Sequence, residues 1–526
     1  MQLFATARCC FPGARVRASS VHASQPLASK SFRPRATRRP ASCARGLQVV
    51  CDEKFVRIVI VRHGQSTWNA EGRIQGSTDD SVLTTKGVSQ AYTSKEMLKN
   101  GKFDKLYRSP LRRATQTADI IWDGRPGEKI SLDDMREIDL YSFERLLKAE
   151  GKAKFGEEYT KWQKDSSNFC IDGHYPVREL WERGAICYQQ ILKDATAEKT
   201  VALVVAHNAI NQAMVAAALG LPSTYFRKLL QSNCGLTVLD AFVEDYDVDS
   251  NGNIPGDKVS LYLDRLNETP GPPFGKDSTS AGRKAEVQVI MLYHGEAEGE
   301  EGSFSLFNTP ENPGLSENGS TQIFSTASLL LDIEVKAAVS SPQKPCTETV
   351  ELLSSVLDLS EGDITYSETF DDTVRAVPGI DVDEEALSSP TMTVATMKPS
   401  KAINFLNVDA QLQNEIDALW LKAKHAWDEL KQIERRAAAS GAGGGSLLVV
   451  GGEDVLSAMI AVEIGLEPTA KNAGVFRLRK GGVSVLDFPD GIDDAAVVRC
   501  INYTAHLKSS WSVPTEGVKA TSVDAF

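Results

Sequence analysis

The pattern of apolar positions divides the chain into two α/β stretches. Residues 55–62 (FVRIVIVR) form a run dominated by Val and Ile, which predicts a buried, parallel-type strand. TVALVVAHN (200–208) predicts a second. Between them lie amphipathic helical stretches at about 84–100, 111–123, 143–165 and 178–193. Strands alternating with helices point to an α/β fold with a parallel sheet. GLTVLDAFVED (235–245) and VSLYLDRLN (259–267) predict a closing hairpin. The segment 267–284 (NETPGPPFGKDSTSAGRK) is rich in Pro, Gly and Ser and reads as a linker. A new α/β pattern starts at about 285. In it, 361–400 is acidic and weakly patterned, predicting long loops, and 411–439 is strongly helical. SGAGGGS (440–446) is a flexible break before a strand at LLVVGG (447–452).

The second pattern echoes the first. VRIVIVRHG (56–64) corresponds to VQVIMLYHG (287–295), and LTTKGVSQA (83–91) to LSENGSTQI (315–323). RSPLRRATQTA (108–118) corresponds to SSPQKPCTETV (340–350), and LVVAHNAINQAM (203–214) to LVVGGEDVLSAM (448–459). His63 and Ser109 are 46 positions apart, His294 and Ser341 are 47. A register kept over four segments reads as a tandem duplication.

Composition adds a leader and removes several function classes. The chain has 526 residues, too many for one core. Residues 1–51 contain eight Arg, one Lys and no acid, with many Ala, Ser and Pro. Such a leader reads as an organelle transit peptide rather than a nucleic-acid-binding arm, since no structured basic surface follows. The whole chain carries a net charge of −12 and the remainder −21. That body should repel nucleic acid and anionic membranes, so any bound phosphate needs a local cationic pocket. No apolar run reaches the length of a membrane span. Of nine cysteines, 170, 187, 234, 346 and 500 lie beyond the leader, without C-x-x-C or metal-ligand spacing. DVDSNGNIPGDK (247–258) opens like a calcium loop. It has Lys258 where a bidentate Glu is needed, and strand-like flanks, so it reads as a hairpin connection.

The chemistry concentrates in the first copy. Arg62-His63-Gly64 sits where a strand ends, the side of an α/β sheet on which ligands bind. VRHGQSTWN, SPLRRATQTA, MREIDL and VVAHN, in this order and spacing over about 55–245, resemble the histidine phosphatase superfamily, in its phosphoglycerate mutase-like branch. The resemblance implies two tandem phosphoglycerate mutase-like three-layer α/β/α domains, the second degenerate. It implies a phosphohistidine intermediate on His63, with His207 as second pocket histidine, Arg62 and Arg113 gripping the phosphoryl group and Glu137 as general acid. Arginine suits this task because its planar fork binds phosphate bidentately and stays charged. Asn69, Gln75, Gly76 and Asn208 match positions lining the substrate mouth, although Asn208 could equally be a helix cap. Two arginines do the charge work, so neither a cofactor nor a metal is expected.

Mutases of the superfamily follow the acid with Arg-His-Tyr-Gly. Here Glu137 is followed by Ile-Asp-Leu-Tyr, which favours hydrolysis. REIDLYSFERLLKAEGKAKFG, FCIDGHYPVRELWERG and LLQSNCGLTVLD are similar to the plant and algal 2-carboxy-D-arabinitol-1-phosphatase family, chloroplast enzymes that remove a Rubisco inhibitor. That similarity implies a small phosphorylated sugar acid as substrate and a location in the chloroplast stroma. His174 and Arg178 are candidates for its polyol or carboxylate, or else surface residues. The expected organisation is a transit peptide at 1–51, a catalytic domain at 52–266, a linker at 267–284 and a degenerate domain at 285–526. In the second copy Tyr293, Ser340, Pro345 and Gly452 stand where the first has Arg62, Arg108, Arg113 and His207, and His294 is kept. Such a copy would serve packing, regulation or dimerisation, either by homodimer contact or by docking within the chain.

Overall fold

The computed structural model describes residues 54–243, 248–269, 271–274, 284–299, 312–372, 410–439 and 444–507. The leader at 1–51, most of the linker and the greater part of the 361–400 loops lie outside the described residues. The first half contains β1 (Lys54–Arg62), α1 (Thr67–Glu71), α2 (Thr85–Met97), β2 (Lys105–Arg108), α3 (Arg112–Trp122) and β3 (Glu128–Ser131). It continues with α4 (Lys148–Lys164), α5 (Pro176–Glu198), β4 (Val201–Ala206), α6 (Asn208–Leu219), β5 (Leu236–Val243) and β6 (Val259–Glu268). The second contains β7 (Val287–Tyr293), α7 (Glu317–Leu330), β8 (Val335–Ser340), α8 (Lys344–Leu357) and β9 (Ile364–Tyr366). After these come α9 (Ala410–Ala439), β10 (Gly445–Gly451), α10 (Glu453–Glu463), α11 (Ala470–Ala473), β11 (Val483–Phe488) and β12 (Val497–Tyr503).

One twelve-stranded sheet runs through both halves in the order β3-β2-β4-β1-β5-β6-β12-β11-β7-β10-β8-β9. Read inward from either end, the two halves have the same strand order. β1 runs parallel to β4, and β2 lies parallel between β4 and β3. β5 and β6 form the antiparallel hairpin beside β1, so the sheet is mixed rather than wholly parallel. Side chains alternate across β1, as strand geometry requires. Ile58 and Ile60 belong to one buried cluster that runs along this face through both halves, with Leu180 of α5, Ile210 of α6, Trp427 of α9 and Val455 of α10. Val59 and Val61 belong to a second buried cluster on the other face, with Met97 of α2, Ile121 of α3, Ile323 of α7 and Val350 of α8. Each fully buried side chain of this size stabilises by about 1.5–3 kcal/mol, which secures a three-layer α/β/α arrangement.

Several boundaries differ from the sequence pattern for local reasons. α4 starts at Lys148 rather than 143, because Tyr141–Phe143 form a 3-10 turn and Arg145 has φ 70°. Pro176 opens α5, where its missing N–H costs nothing. β3 lacks an apolar run and has no sequence signal; it is set by pairing with β2. Arg57 lies inside the apolar run but is buried, with its guanidinium forked onto Asp240 of β5 at 2.6 Å for both bonds. Strands do flank the 248–258 connection, and Asp249 Oδ1 accepts the amides of Asn251 and Asn253 there. β6 runs two residues into the stretch read as linker, and both Asn267 and Glu268 are buried.

Candidate active site

The site forms at the carboxyl ends of β1, β2 and β4. Arg62 closes β1, His63 follows it, and the His63 amide bonds the Ala206 carbonyl at the end of β4 (2.9 Å). Gly64 is required here, since a Cβ would stand 2.3 Å from the Gly87 carbonyl oxygen of α2. Its amide donates to Thr117 Oγ1 of α3 (3.1 Å), and Thr117 in turn donates to the Arg113 carbonyl (2.8 Å). His63 is 2 % exposed. Its Nδ1 lies 2.7 Å from the Gly64 carbonyl, which can only accept. The proton therefore sits on Nδ1, and Nε2 keeps its lone pair. Burial, followed by the Arg113 and Arg62 charges, holds the imidazole neutral, well below its ordinary 6.5.

Arg62 and Arg113 are buried, and neither forms an ion pair among the described residues. Arg62 Nη1 donates to the Gln231 carbonyl (2.8 Å). Arg113 Nη1 donates to the Thr78 carbonyl (2.8 Å) and Nη2 to that of Gly76 (3.0 Å). Burial pushes both guanidinium groups down to about 10, the nearby Glu137 charge opposing it. The Nε of each has no hydrogen-bond partner among the described residues. His207, the N-cap residue of α6, faces His63 with ring centroids 5.1 Å apart. Its Nε2 lies 2.7 Å from Ser109 Oγ, and its buried Nδ1 has no partner among the described residues. Ser109 Oγ accepts from the Leu111 amide, so its hydroxyl proton is available to His207 Nε2. When Ser109 donates to Nε2, the imidazole proton sits on Nδ1, as a donor. Glu137 lies over the first turn of α6, where its carboxylate accepts from the amides of Ala209 (3.1 Å) and Ile210 (3.3 Å), and from that of Ile138 (3.0 Å). Helix N-termini favour a negative group in this place. Two neutral histidines and two buried arginines, with one carboxylate beside them, suit a dianionic, tetrahedral group.

Residues 58–253 match the family profile described as "Histidine phosphatase superfamily (branch 1)". The chain is 42% identical over 468 residues to the probable 2-carboxy-D-arabinitol-1-phosphatase of Arabidopsis thaliana, covering 88% of this chain and 90% of that one. It is 41% identical to the 2-carboxy-D-arabinitol-1-phosphatase of Triticum aestivum, covering 87% and 88%. The chain belongs to the histidine phosphatase superfamily. It is a phosphatase, a hydrolase of phosphoric monoesters. A probable phosphoglycerate mutase GpmB of Enterobacter is 32% identical, over 35% of this chain and 85% of that one.

Not every residue singled out in the phosphatase sequence reaches the pocket in the same way. Gln75 Oε1 accepts from Ser66 Oγ (3.0 Å) and Ser81 Oγ (2.8 Å), so it knits the mouth loop together. Gly76 has φ 52°, and a Cβ there would meet Glu144 Oε1 at 2.0 Å. Asn69 Oδ1 accepts from the Ser66 amide (3.2 Å) and from Asn233 Nδ2 (3.4 Å). Asn208 is the first residue of α6 rather than its cap, and holds Gln212 Nε2 (3.0 Å). His174 stacks on Tyr141 with centroids 4.2 Å apart and pairs with Glu179 (3.2 Å). Arg178 Nε donates to the Ser167 carbonyl (2.9 Å), and its guanidinium lies over Tyr175. Both are exposed and bond to neither the histidines nor the arginines above.

Several residues were missed. Glu144 is part-buried; its Oε1 holds the amides of Ser77 and Leu140 (2.9 Å each) and ties the mouth loop to the segment bearing Glu137. Arg183 of α5 donates to the carbonyls of Asp134, Arg136 and Glu137, fixing that segment from behind. Asn233 Nδ2 donates to the His63 carbonyl (2.8 Å). The polar Gln-Ser-Asn-Cys-Gly run at 231–235 was the only available signal for it.

The second half builds the same scaffold around different chemistry. His294 Nδ1 meets the Gly295 carbonyl at 2.7 Å, and the Gly295 amide donates to Thr349 Oγ1 (3.2 Å). Thr349 donates to the Pro345 carbonyl, as Thr117 does to that of Arg113. Lys480 Nζ lies 3.3 Å from His294 Nε2, so the lone pair that is available on His63 here accepts an ammonium proton. Asp372 lies over the first turn of α10 and accepts the Val455 amide (3.2 Å). A Cβ on Gly452, which takes the place of His207, would stand 2.0 Å from its carboxyl carbon. Burial pushes the neighbouring Glu453 carboxyl up to about 8.

Proposed function

We propose that this histidine phosphatase hydrolyses a sugar-phosphate monoester through a phosphohistidine on His63, and that its substrate is 2-carboxy-D-arabinitol 1-phosphate. The observation that carries the mechanism is the neutral His63 with its Nε2 lone pair kept available, beside two buried arginines that form no ion pair among the described residues. In this reading His63 Nε2 attacks phosphorus. Arg62, Arg113 and His207 Nδ1–H bind the equatorial oxygens, whose charge is the main object of stabilisation. Glu137 takes up a proton as the dianionic phosphate enters and gives it to the leaving alkoxide. Water then attacks the phosphohistidine, with Glu137 taking a proton back, and inorganic phosphate leaves. Asn69, Gln75, Gly76 and Asn208 shape the mouth.

The substrate rests on the relatives of Arabidopsis and wheat, matched over most of both chains. The Arg-rich, acid-free composition of 1–51 supports a transit peptide, and with it the chloroplast stroma as location. The second half is a degenerate duplicate in this reading: it keeps strand order and scaffold, but carries no arginine at the positions of Arg62 and Arg113. A mutase reading is favoured by the bacterial relative named a phosphoglycerate mutase. It is disfavoured by Ile138-Asp139-Leu140-Tyr141 after the acid and by the lack of an Arg-Arg pair between 137 and 207.

The test is phosphate release from 2-carboxy-D-arabinitol 1-phosphate, 3-phosphoglycerate and an aryl phosphate, with His63→Ala as control. Preference for the arabinitol ester, lost in the variant, is expected. Equal turnover of all three would discard the named substrate, and conversion of 3-phosphoglycerate to its isomer would establish the mutase.

A further inference from the structure

The loop 228–235 holds both His63 and Arg62, and it is held from the other half of the chain. Asn233 Nδ2 donates to the His63 carbonyl, and the Gln231 carbonyl accepts Arg62 Nη1. The Cys234 amide donates to the Arg62 carbonyl (3.0 Å). The loop itself pairs with β12 of the second half: Leu230 N to the Val498 carbonyl (3.0 Å) and Val498 N to that of Lys228 (2.7 Å). At the centre is Asn267, 2 % exposed, in the last turn of β6 with φ 55°. Its Oδ1 accepts the Ser232 amide at 2.6 Å, and its Nδ2 donates to the Arg499 carbonyl at 2.7 Å. One side chain thus joins the loop behind the site to a strand of the second half.

A twin of this device exists in β12. Asn502 also has φ 55° and is fully buried. Its Oδ1 accepts the Arg479 amide (2.9 Å), and its Nδ2 donates to the Asp264 carbonyl (2.6 Å). Gly235 and Gly482 lie against the two amides in the same way, with a Cβ meeting Asn267 Oδ1 at 2.4 Å or Asn502 Oδ1 at 2.6 Å. The two asparagines brace opposite loops across a local two-fold. Only the loop braced by Asn267 carries the His63 and Arg62 contacts; the other carries Lys480 beside His294.

We propose that Asn267 is a positioning residue for Arg62 and His63, and that the second half serves hydrolysis by bracing the 228–235 loop through it. The idea rests on the phosphatase reading of the first site. It explains why the second half keeps its sheet and its β12 edge while its own pocket differs.

The test compares Asn267→Gly with Asn502→Gly in the full chain, because glycine accepts the left-handed backbone and removes only the side chain. Both variants should melt at a lower temperature than the parent. Asn267→Gly should lose at least tenfold in kcat/KM on 4-nitrophenyl phosphate, and bind orthovanadate correspondingly less well. Asn502→Gly should stay within twofold on both. Equal losses in the two variants, or none in Asn267→Gly, would overturn the proposal. Should Asn267→Gly fail to fold, Asn267→Asp decides by the same comparison; it keeps the acceptor for Ser232 and removes the donor to Arg499. A parent inactive on every ester would refute the phosphatase reading alone. Amide exchange would then judge the brace, which predicts faster exchange at 229–235 in Asn267→Gly and unchanged exchange there in Asn502→Gly.

Discussion

Arg113→Met separates what the pocket costs from what it does. In the fold, burial pulls the Arg113 guanidinium from 12.5 to about 10, which corresponds to about 3 kcal/mol against keeping the charge there. The charge is held by bonds to the carbonyls of Thr78 and Gly76 and a longer one to Ser81 Oγ, each of the first two contributing about 1.5–3 kcal/mol. Methionine removes both sides of this balance, so the net change in folding free energy should lie between zero and about 3 kcal/mol. Catalysis has no such compensation. One lost donor to a developing phosphoryl charge costs about 2.7–4 kcal/mol, or roughly 10²–10³ in kcat. Arg113 is also the largest charge acting on His63, so in the variant the imidazole should take up a proton at higher pH. Urea unfolding and steady-state kinetics from pH 4.5 to 9 on an aryl phosphate measure all three quantities. The reasoning is refuted if the folded variant keeps kcat within tenfold of the parent, or if its acid limb does not move upward.

Three further outcomes are expected. Burial and the two arginines hold His63 and His207 below their ordinary 6.5 in the fold, so the unfolded chain binds more protons below that pH. Stability should therefore be full above pH 6.5 and fall as the pH drops toward the folded-state values, by about 2 kcal/mol per histidine at pH 5. Urea unfolding at pH 7.5 and 5.0 checks this, and a His63→Gln/His207→Gln variant should show a clearly smaller difference. Gly76→Ala places a Cβ 2.0 Å from Glu144 Oε1 at φ 52°. It should cost about 2 kcal/mol or more in urea unfolding and lower kcat/KM, because Glu144 holds both Ser77 and Leu140. His294→Ala should leave turnover of the phosphate ester intact, since Lys480 already engages its Nε2; a large loss of activity in a folded variant would contradict the assignment of hydrolysis to the first half.

The sequence by itself determined the elements that announce themselves by period and the residues that announce themselves by type. β1, β4, α2, α3, α5 and the closing hairpin are long or strongly patterned, because each must bury one face or both. Arg62, His63, Arg113 and His207 come together in the fold because each lies at or beside a strand end or a helix start, and such ends share one edge of the sheet; Glu137, in the segment after β3, is held over the start of α6 by the Ala209 and Ile210 amides. Tertiary structure alone decided the rest. β3 is polar and becomes a strand only by pairing with β2. His174, just before α5, and Arg178, in its first turn, have suitable chemistry, and both stand exposed. Asn267 reads as the start of a linker because Asn, Pro and Gly surround it, yet it is buried where β6 meets β12. Its partners Ser232 and Arg499 lie 35 and 232 positions away. Local pattern reports which face a residue buries; it does not report which distant backbone that face meets, and here that meeting joins two halves into one sheet.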